Sequence, residues 1–600
     1  MKHRRQILHS LVLIPGRTSE SLRARAALFL RLSTLAMFFC CIGPAAAHAQ
    51  TDTGTQLPCP VMTGVNLTGD YRNNARCNVN ATVQVSSSGT FLNQDFGLIL
   101  VGDDHQPPSF FGALVNDGSF LNRGLITVEP TVGVFDNAGS FTSYIGSMTN
   151  FNTAINGGTF NNQGGSILDN RAGATFSNFA TLTNSDPVSN PGALIENAGT
   201  MTNEAGGTLT NLRGGFIENH VGGVFDNNGH MNNNLDATLL NGMGSTFNNH
   251  NALENFGTIN NAAGAMLNNT FVLNNDGGAT LINGGTFTNA ALFVNYSTVT
   301  NTGNLLNQST GTVNNLGTIN NSGGLGNSGN FQIGSGGVLN NTGAIGNSLG
   351  GGFAVLNGGT FNNSGSLLND FLSTFSTAAG STVVNTGTMS LAGPSLNIGG
   401  NLRNDGSIIL MPGPPFGDPA ISTPAPNLLV TSTGTLSGTG AVTGVVENQG
   451  TMRPGDSPGT FTINGSYLQD AQGTLDILIG GTGAGEFSQL IVNGNAVLDG
   501  TLDVELFGGF DPQSGEIFEI LSGNISGAFA NVLFPTLSDG LFFKLDQEKN
   551  GVFLDVLSGT GTGGGGGGGG TSMPEPSSLL LLASGLAGLL GIRTRSRSGK

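Results

Sequence analysis

The chain has 600 residues, 98 of them glycine, with no tryptophan and four tyrosines, too long for one ordinary core and so expected to hold several domains or a repeat architecture. Charged residues make up 10% against roughly 25% in ordinary globular proteins, yet apolar residues reach 38% and are spread too regularly for simple disorder. Between Gln50 and Ser572 there are 9 Lys+Arg against 35 Asp+Glu, a balance that excludes nucleic acid as a partner held through phosphate neutralisation.

The first 49 residues carry Lys2, Arg4, Arg5, Arg17, Arg23, Arg25 and Arg31, then the apolar run "LSTLAMFFCCIG". Ala47-His48-Ala49 fits a signal-peptidase site, which predicts a signal peptide over 1–49, cut after Ala49. Cys40 and Cys41 leave with it. Cys59 and Cys77 remain, an even pair in an exported chain, and predict a disulfide holding an N-terminal cap over 50–111. A metal site there would need more ligands close by. Asp103-Asp104-His105, before Pro107-Pro108, reads as a lone acidic turn.

From Gly112 to Val430 one phrase recurs: a small residue, an apolar residue, any residue, then Asn, as in "GGTFNN", "AGTMTN" and "LGTINN". The apolar markers Phe247, Leu253, Ile259 and Leu267 are spaced 6, 6 and 8, and Leu305, Val313, Ile319 and Leu325 are spaced 8, 6 and 6. Three units therefore make about 20 residues, in the solenoid range and too short for paired helices. Gly and Asn interrupt every six to eight residues, so helix is excluded here. Within a unit the alternation has period two, which turns Ile259 inward and Thr258 and Asn260 outward, with Asn261 ending the strand. Phe247, Leu267, Ile319 and Leu339 join the interior, and Thr318 the exterior. Gly supplies positive φ at corners, and Asn amides can ladder between coils. The expected fold is all-β: a parallel β-solenoid of three-sided coils, with about 16 coils and a rod of roughly 75 Å at the usual strand spacing. Strict spacing of six runs only from Leu281 to Leu305; elsewhere the eights break it, which favours the right-handed form over a left-handed hexapeptide helix.

Over 431–557 the strands lengthen and alternate cleanly, with Asn-Gly and Asp-Gly turns at Asn464, Asn493 and Asp499. This reads as a β-rich end cap. Pro454 to Gly459, Gln489 to Thr501 and Gly509 to Leu521 resemble the C-terminal part of autotransporter passenger domains. That family continues into a translocator β-barrel, whereas here a Gly-rich linker over 558–572 follows, so another route to the surface is required.

The tail 573–600 has Pro574-Glu575-Pro576, then an apolar run from Leu579 to Ile592, then Arg593, Arg595, Arg597 and Lys600. Fourteen apolar and small residues fall short of the roughly 20 that cross hydrocarbon, and the seventeen counted from Pro576 are marginal; the basic cluster stays cytoplasmic, so the tail reads as halted in the membrane, either before proteolysis or as a permanent anchor. The order of parts resembles the PEP-CTERM sorting signal of Gram-negative bacteria. The resemblance implies recognition by an exosortase-type membrane protease, transient anchoring in the inner membrane, and association with exopolysaccharide and the biofilm matrix.

Catalytic chemistry is poorly supplied. Gly112 to Gly400 holds three basic residues, Arg123, Arg171 and Arg213, and thirteen acidic ones. The densest group is Arg213, Glu218, His220, Asp226 and His230, which has no equal positions in the repeat and reads as solvated polar residues. The octaglycine lacks the Asp spacing of a Ca²⁺ nonapeptide and the Lys-Ser/Thr of a phosphate loop. No catalytic residue, metal site or cofactor is expected. The reading is an exported structural or adhesive protein of the surface or matrix; the alternative is a β-helix polysaccharide lyase or hydrolase.

Overall fold

The phrase "TINN" sets the unit of the structure. Thr258–Asn261 is a four-residue strand in which Thr258 and Asn260 are partly exposed while Ile259 and Asn261 are buried. Most strands up to Val430 repeat this length and this alternation. The computed structural model describes residues 55–559, apart from 57–60, 63–64, 75, 80, 95–96, 102–111, 131, 186–191, 393–395, 413–426 and 456. Ala49, Cys59, Asp103 to His105, the linker beyond Gly559 and the tail therefore lie outside the described residues.

Up to Leu410 each strand pairs in parallel with the strand three places later. Thr258–Asn261 lies between Thr238–Asn241 and Thr280–Asn283, Thr246–Asn249 pairs with Met266–Asn269, and Ala252–Asn255 with Val272–Asn275. Three strands thus close one coil. The first face contains Thr246–Asn249, the second Ala252–Asn255 and the third Thr258–Asn261. The chain is an all-β parallel β-solenoid of about 17 coils, and the one helical element among the described residues is a short 3₁₀ turn, Ser538–Gly540. Asn249, Asn269 and Asn289 are in register at the expected interval of 20 residues.

The interior is apolar and aromatic. Phe247, Ile259, Leu267, Ile319 and Leu339 are all buried, with Thr258 and Thr318 on the outer side. Successive coils stack like on like: Phe331 and Phe353 have ring centroids 5.1 Å apart and are nearly parallel, a dispersion-rich packing that a narrow prism permits.

Three features differ from the sequence reading. The fourth-position Asn does more than end the strand, because its side chain turns inward and is fully buried. On the third face, Asn150, Asn170, Asn197, Asn219, Asn241 and Asn261 begin a run continued by Asn283, Asn301, Asn321, Asn341, Asn363, Asn385 and Asn404. Each Nδ2 donates to the Oδ1 of the next, at 2.6–2.9 Å. The second N–H reaches a carbonyl at the start of the strand that follows its partner Asn, as Asn261 does to Thr286 at 3.0 Å. The buried amides are thereby paired, which removes the penalty of burying them. Parallel runs follow the other two corners, for example Asn249 to Asn269 and Asn255 to Asn275, both 2.8 Å.

The corner glycines also divide into two kinds. In the longer turns Gly264 has φ of +78°, as expected. In the short turns Gly303, Gly323 and Gly343 have no positive φ; a Cβ on each would sit 2.1–2.2 Å from the carbonyl oxygen of the glycine one coil below. There glycine is required by the close approach of coils.

In-register pairing also passes both expected edges of the repeat. Asp70–Asn73 stacks on Thr90–Asn93 and that on Ser119–Asn122, so coils already run within 50–111. At the other end Ala441–Asn448 is long enough to pair with strands of two faces. Parallel pairing continues to Ile517–Gly527, which then pairs antiparallel with Gly551–Ser558, itself antiparallel to Leu541–Gln547. Buried Tyr467 ends the amide system: its hydroxyl accepts from Asn448 Nδ2 at 3.1 Å and donates to Gln469 Oε1 at 2.7 Å. Burial raises its phenol pKa.

Candidate functional site

The processing residues Ala49, Pro574, Glu575, Pro576, Arg593, Arg595 and Arg597 lie outside the described residues, as does Cys59. Cys77 is buried and disulfide-bonded.

The polar group read from the sequence separates. Glu218 and His220 come together on the third face. Asp226 sits on the first face, where Asn248 Nδ2 donates to it at 2.7 Å. His230 opens a strand of the second face, and Arg213 meets Asp236 in an exposed pair at 3.3 Å. Stacking supplies two partners that sequence reasoning missed. Asp169, Glu196 and Glu218 occupy the same outward position in consecutive coils. His220 lies between two of them, Nε2 3.5 Å from Glu196 Oε1 and Nδ1 3.4 Å from Glu218 Oε1. Arg171 pairs with Asp169 and places its guanidinium 5.9 Å from the Phe151 ring centroid. The hydrogen bond from His220 holds Glu196 below its ordinary pKa, against the opposing effect of burial. Burial raises Asp169, partly offset by the Arg171 charge. The three side chains Glu196, Glu218 and His220 offer ligand atoms within 4.8 Å of one another. The two bases beside the stack compensate its like charges, which otherwise repel at this spacing.

Farther along the same face the surface changes character. Residues 277–402 contain a single charged side chain, Asp370, which follows a strand of the first face. The outward positions of the third face are Thr298, Thr318, Val338, Thr360 and Thr382 in one rank. Thr300, Asn320, Asn340 and Asn362 form the next. Asn340 donates to Asn320 and Asn362 to Asn340, both at 2.9 Å. Short turns keep the adjoining corner low, with Thr342, Ser364 and Thr386 stacked along it. A groove of about 200 Å³ opens there, lined by Asn340, Thr342, Asn362, Ser364, Val384 and Thr386. None of its lining residues titrates. On the opposite corner Tyr296 is half-exposed, with partly exposed Leu316 on the next coil and Leu356 two coils beyond that, past Gly334.

Among described residues no helix is long and apolar enough to cross a membrane. No curated protein sequence matches the chain. A solved structure that does match is the crystal structure of the TibC-catalysed, hyper-glycosylated TibA55-350 fragment, at 16% identity and a TM-score of 0.16. That match covers 50% of this chain and 90% of the other. Residues 574–596 match the PEP-CTERM protein-sorting motif, so the solenoid and that sorting signal are carried on one chain.

Proposed function

We propose that this protein is an exported structural or adhesive rod, delivered to the surface or extracellular matrix of a Gram-negative bacterium through its C-terminal tail. The observation that carries the reading is the sorting motif at 574–596, set behind eight consecutive glycines and a solenoid. The motif implies export, transient membrane anchoring and processing by an exosortase-type protease. In this reading signal peptidase cuts after Ala49, and Cys59 bridges to Cys77 at the base of the rod. Pro574-Glu575-Pro576 then halts outside the inner membrane while Arg593, Arg595 and Arg597 stay within. The glycine linker uncouples rod from bilayer and gives a protease extended chain. The body supports a mechanical or adhesive role because its repetition builds length and, among the described residues, the carboxylate stack Asp169, Glu196 and Glu218 is flanked by Arg171 and His220. Association with exopolysaccharide and biofilm belongs to the same reading. Replacing Glu575 with Ala tests it: uncleaved protein should collect in the inner membrane, and normal surface delivery of the variant would reject tail-directed sorting. The lyase or hydrolase reading would be favoured only if incubation with matrix polysaccharides released reducing ends or unsaturated products.

A further inference from the structure

We infer that the uncharged stretch of the third face, from Thr298 to Asn385, is a binding platform for a neutral polysaccharide. This rests on the reading of the chain as a matrix rod and names the ligand class that the rod would hold. Three observations on one surface lead to it.

The first is charge. Across 277–402 the sole charged residue, Asp370, lies at another edge, although the exported body as a whole is acidic. Within these rungs a uronate or phosphate polymer would find no cation to offset its desolvation, and a cationic one no anion; Arg403, one rung beyond Val384, is engaged by Asp405 at 2.6 Å. A neutral sugar needs neither.

The second is the chemistry of the surface ranks. The threonine hydroxyls and asparagine amides each both donate and accept, as sugar hydroxyls do. Asn320, Asn340 and Asn362 are tied into one amide chain, so their free lone pairs and N–H groups are held at fixed positions, a pre-organisation that favours binding. The groove beside Asn340 and Asn362 gives a concave seat for a ring. The apolar margin supplied by Tyr296, Leu316 and Leu356 suits the C–H face of a pyranose, which packs on aromatic and aliphatic carbon.

The third is repetition. Five rungs, Thr298–Asn301 to Thr382–Asn385, span roughly 19 Å at the strand spacing of about 4.8 Å. A polymer can therefore engage several equivalent rungs at once, and weak single contacts add through effective concentration.

The test uses the full chain as secreted, with dextran, galactomannan and cellulose as neutral probes and alginate as the acidic one. Wild type should be retained by at least one neutral probe and not by alginate. The double variant Asn340→Asp/Asn362→Asp should lose at least tenfold in affinity for that probe, and Tyr296→Ala, which leaves the amide chain intact, should weaken it several-fold. Thr288→Asp, which adds a charge to the first face, should bind as wild type does. Retention on alginate alone, on no neutral probe, or equally by the double variant would overturn the proposal. Self-association of the wild-type chain in sedimentation, abolished by the double variant while no glycan binds, would assign the face to a second copy instead and would likewise overturn it. Surface delivery, followed by fractionation of the same strains, is independent of these outcomes. Lost binding with normal delivery would refute the platform alone, whereas normal binding with failed delivery would refute the sorting reading.

Discussion

Asn301 stands in the middle of the third-face amide ladder, and its replacement measures what the ladder contributes. Its Oδ1 accepts from Asn283 Nδ2 at 2.6 Å, and its Nδ2 donates to Asn321 Oδ1 at 2.6 Å and to the Gly324 carbonyl at 2.9 Å. Asn301→Ala orphans one N–H of Asn283 and the Oδ1 of Asn321, both in a fully buried corner. At about 1–3 kcal/mol for each buried group left unpaired, the loss is about 2–6 kcal/mol. Asn404 closes the Asn–Asn run, accepting from Asn385 at 2.7 Å and donating only to carbonyls. Asn404→Ala therefore orphans one amide hydrogen on Asn385, and the loss should be about 1–3 kcal/mol. A long coil array need not unfold in one step, so hydrogen exchange read coil by coil is the suitable assay. Protection should fall most in the coils holding Asn283 and Asn321. A change under about 0.5 kcal/mol for Asn301→Ala, or equal losses at Asn301 and Asn404, would refute the ladder as a stabilising element.

Ile259→Asp should cost on the order of several kcal/mol by burying an unpaired charge, whereas Thr258→Asp should be nearly neutral; equal losses in denaturant midpoints would defeat the inside-outside assignment. Glu196 has a folded pKa below its ordinary value of 4.5, so its stabilisation is complete above that value and is lost as pH falls through the folded pKa. His220→Gln removes the main cause, and carbon NMR titration of the Glu196 carboxyl should show its midpoint move up; an unmoved midpoint would remove His220 from that role. Asp169 acts in the opposite sense, since its raised pKa makes ionisation costly and stability is gained as pH falls through its folded value. Intact mass of secreted protein should rise by two hydrogens on reduction, as a Cys59–Cys77 bridge requires, and free thiols in the fresh material would reject the pairing.

The inside and outside of each strand were legible because period-two alternation is a local property, visible in Thr258 to Asn261 without knowledge of the coil. The amide ladder was legible only as a possibility, since burial of Asn261 depends on three strands closing around it. Glycine's second role was not legible. Gly303 and Gly323 look like turn residues in sequence, but the constraint is the carbonyl of the coil below. The carboxylate stack was hidden for the same reason: Asp169, Glu196 and Glu218 stand 27 and 22 residues apart, and unequal turn lengths conceal that they share a position. The edges of the repeat blurred because "TFLN" at Thr90–Asn93 and the long strand Ala441–Asn448 continue the stack with altered turns, and pairing follows the backbone rather than the phrase.

The most direct test of the central claim, that this rod reaches the surface through its sorting tail, is mass spectrometry of the mature C-terminus on surface-exposed protein. A terminus near Pro574-Glu575-Pro576, with the apolar run and arginine cluster removed, is the predicted result. Recovery of intact Leu579 to Lys600 on that protein would contradict it and make the tail a permanent anchor.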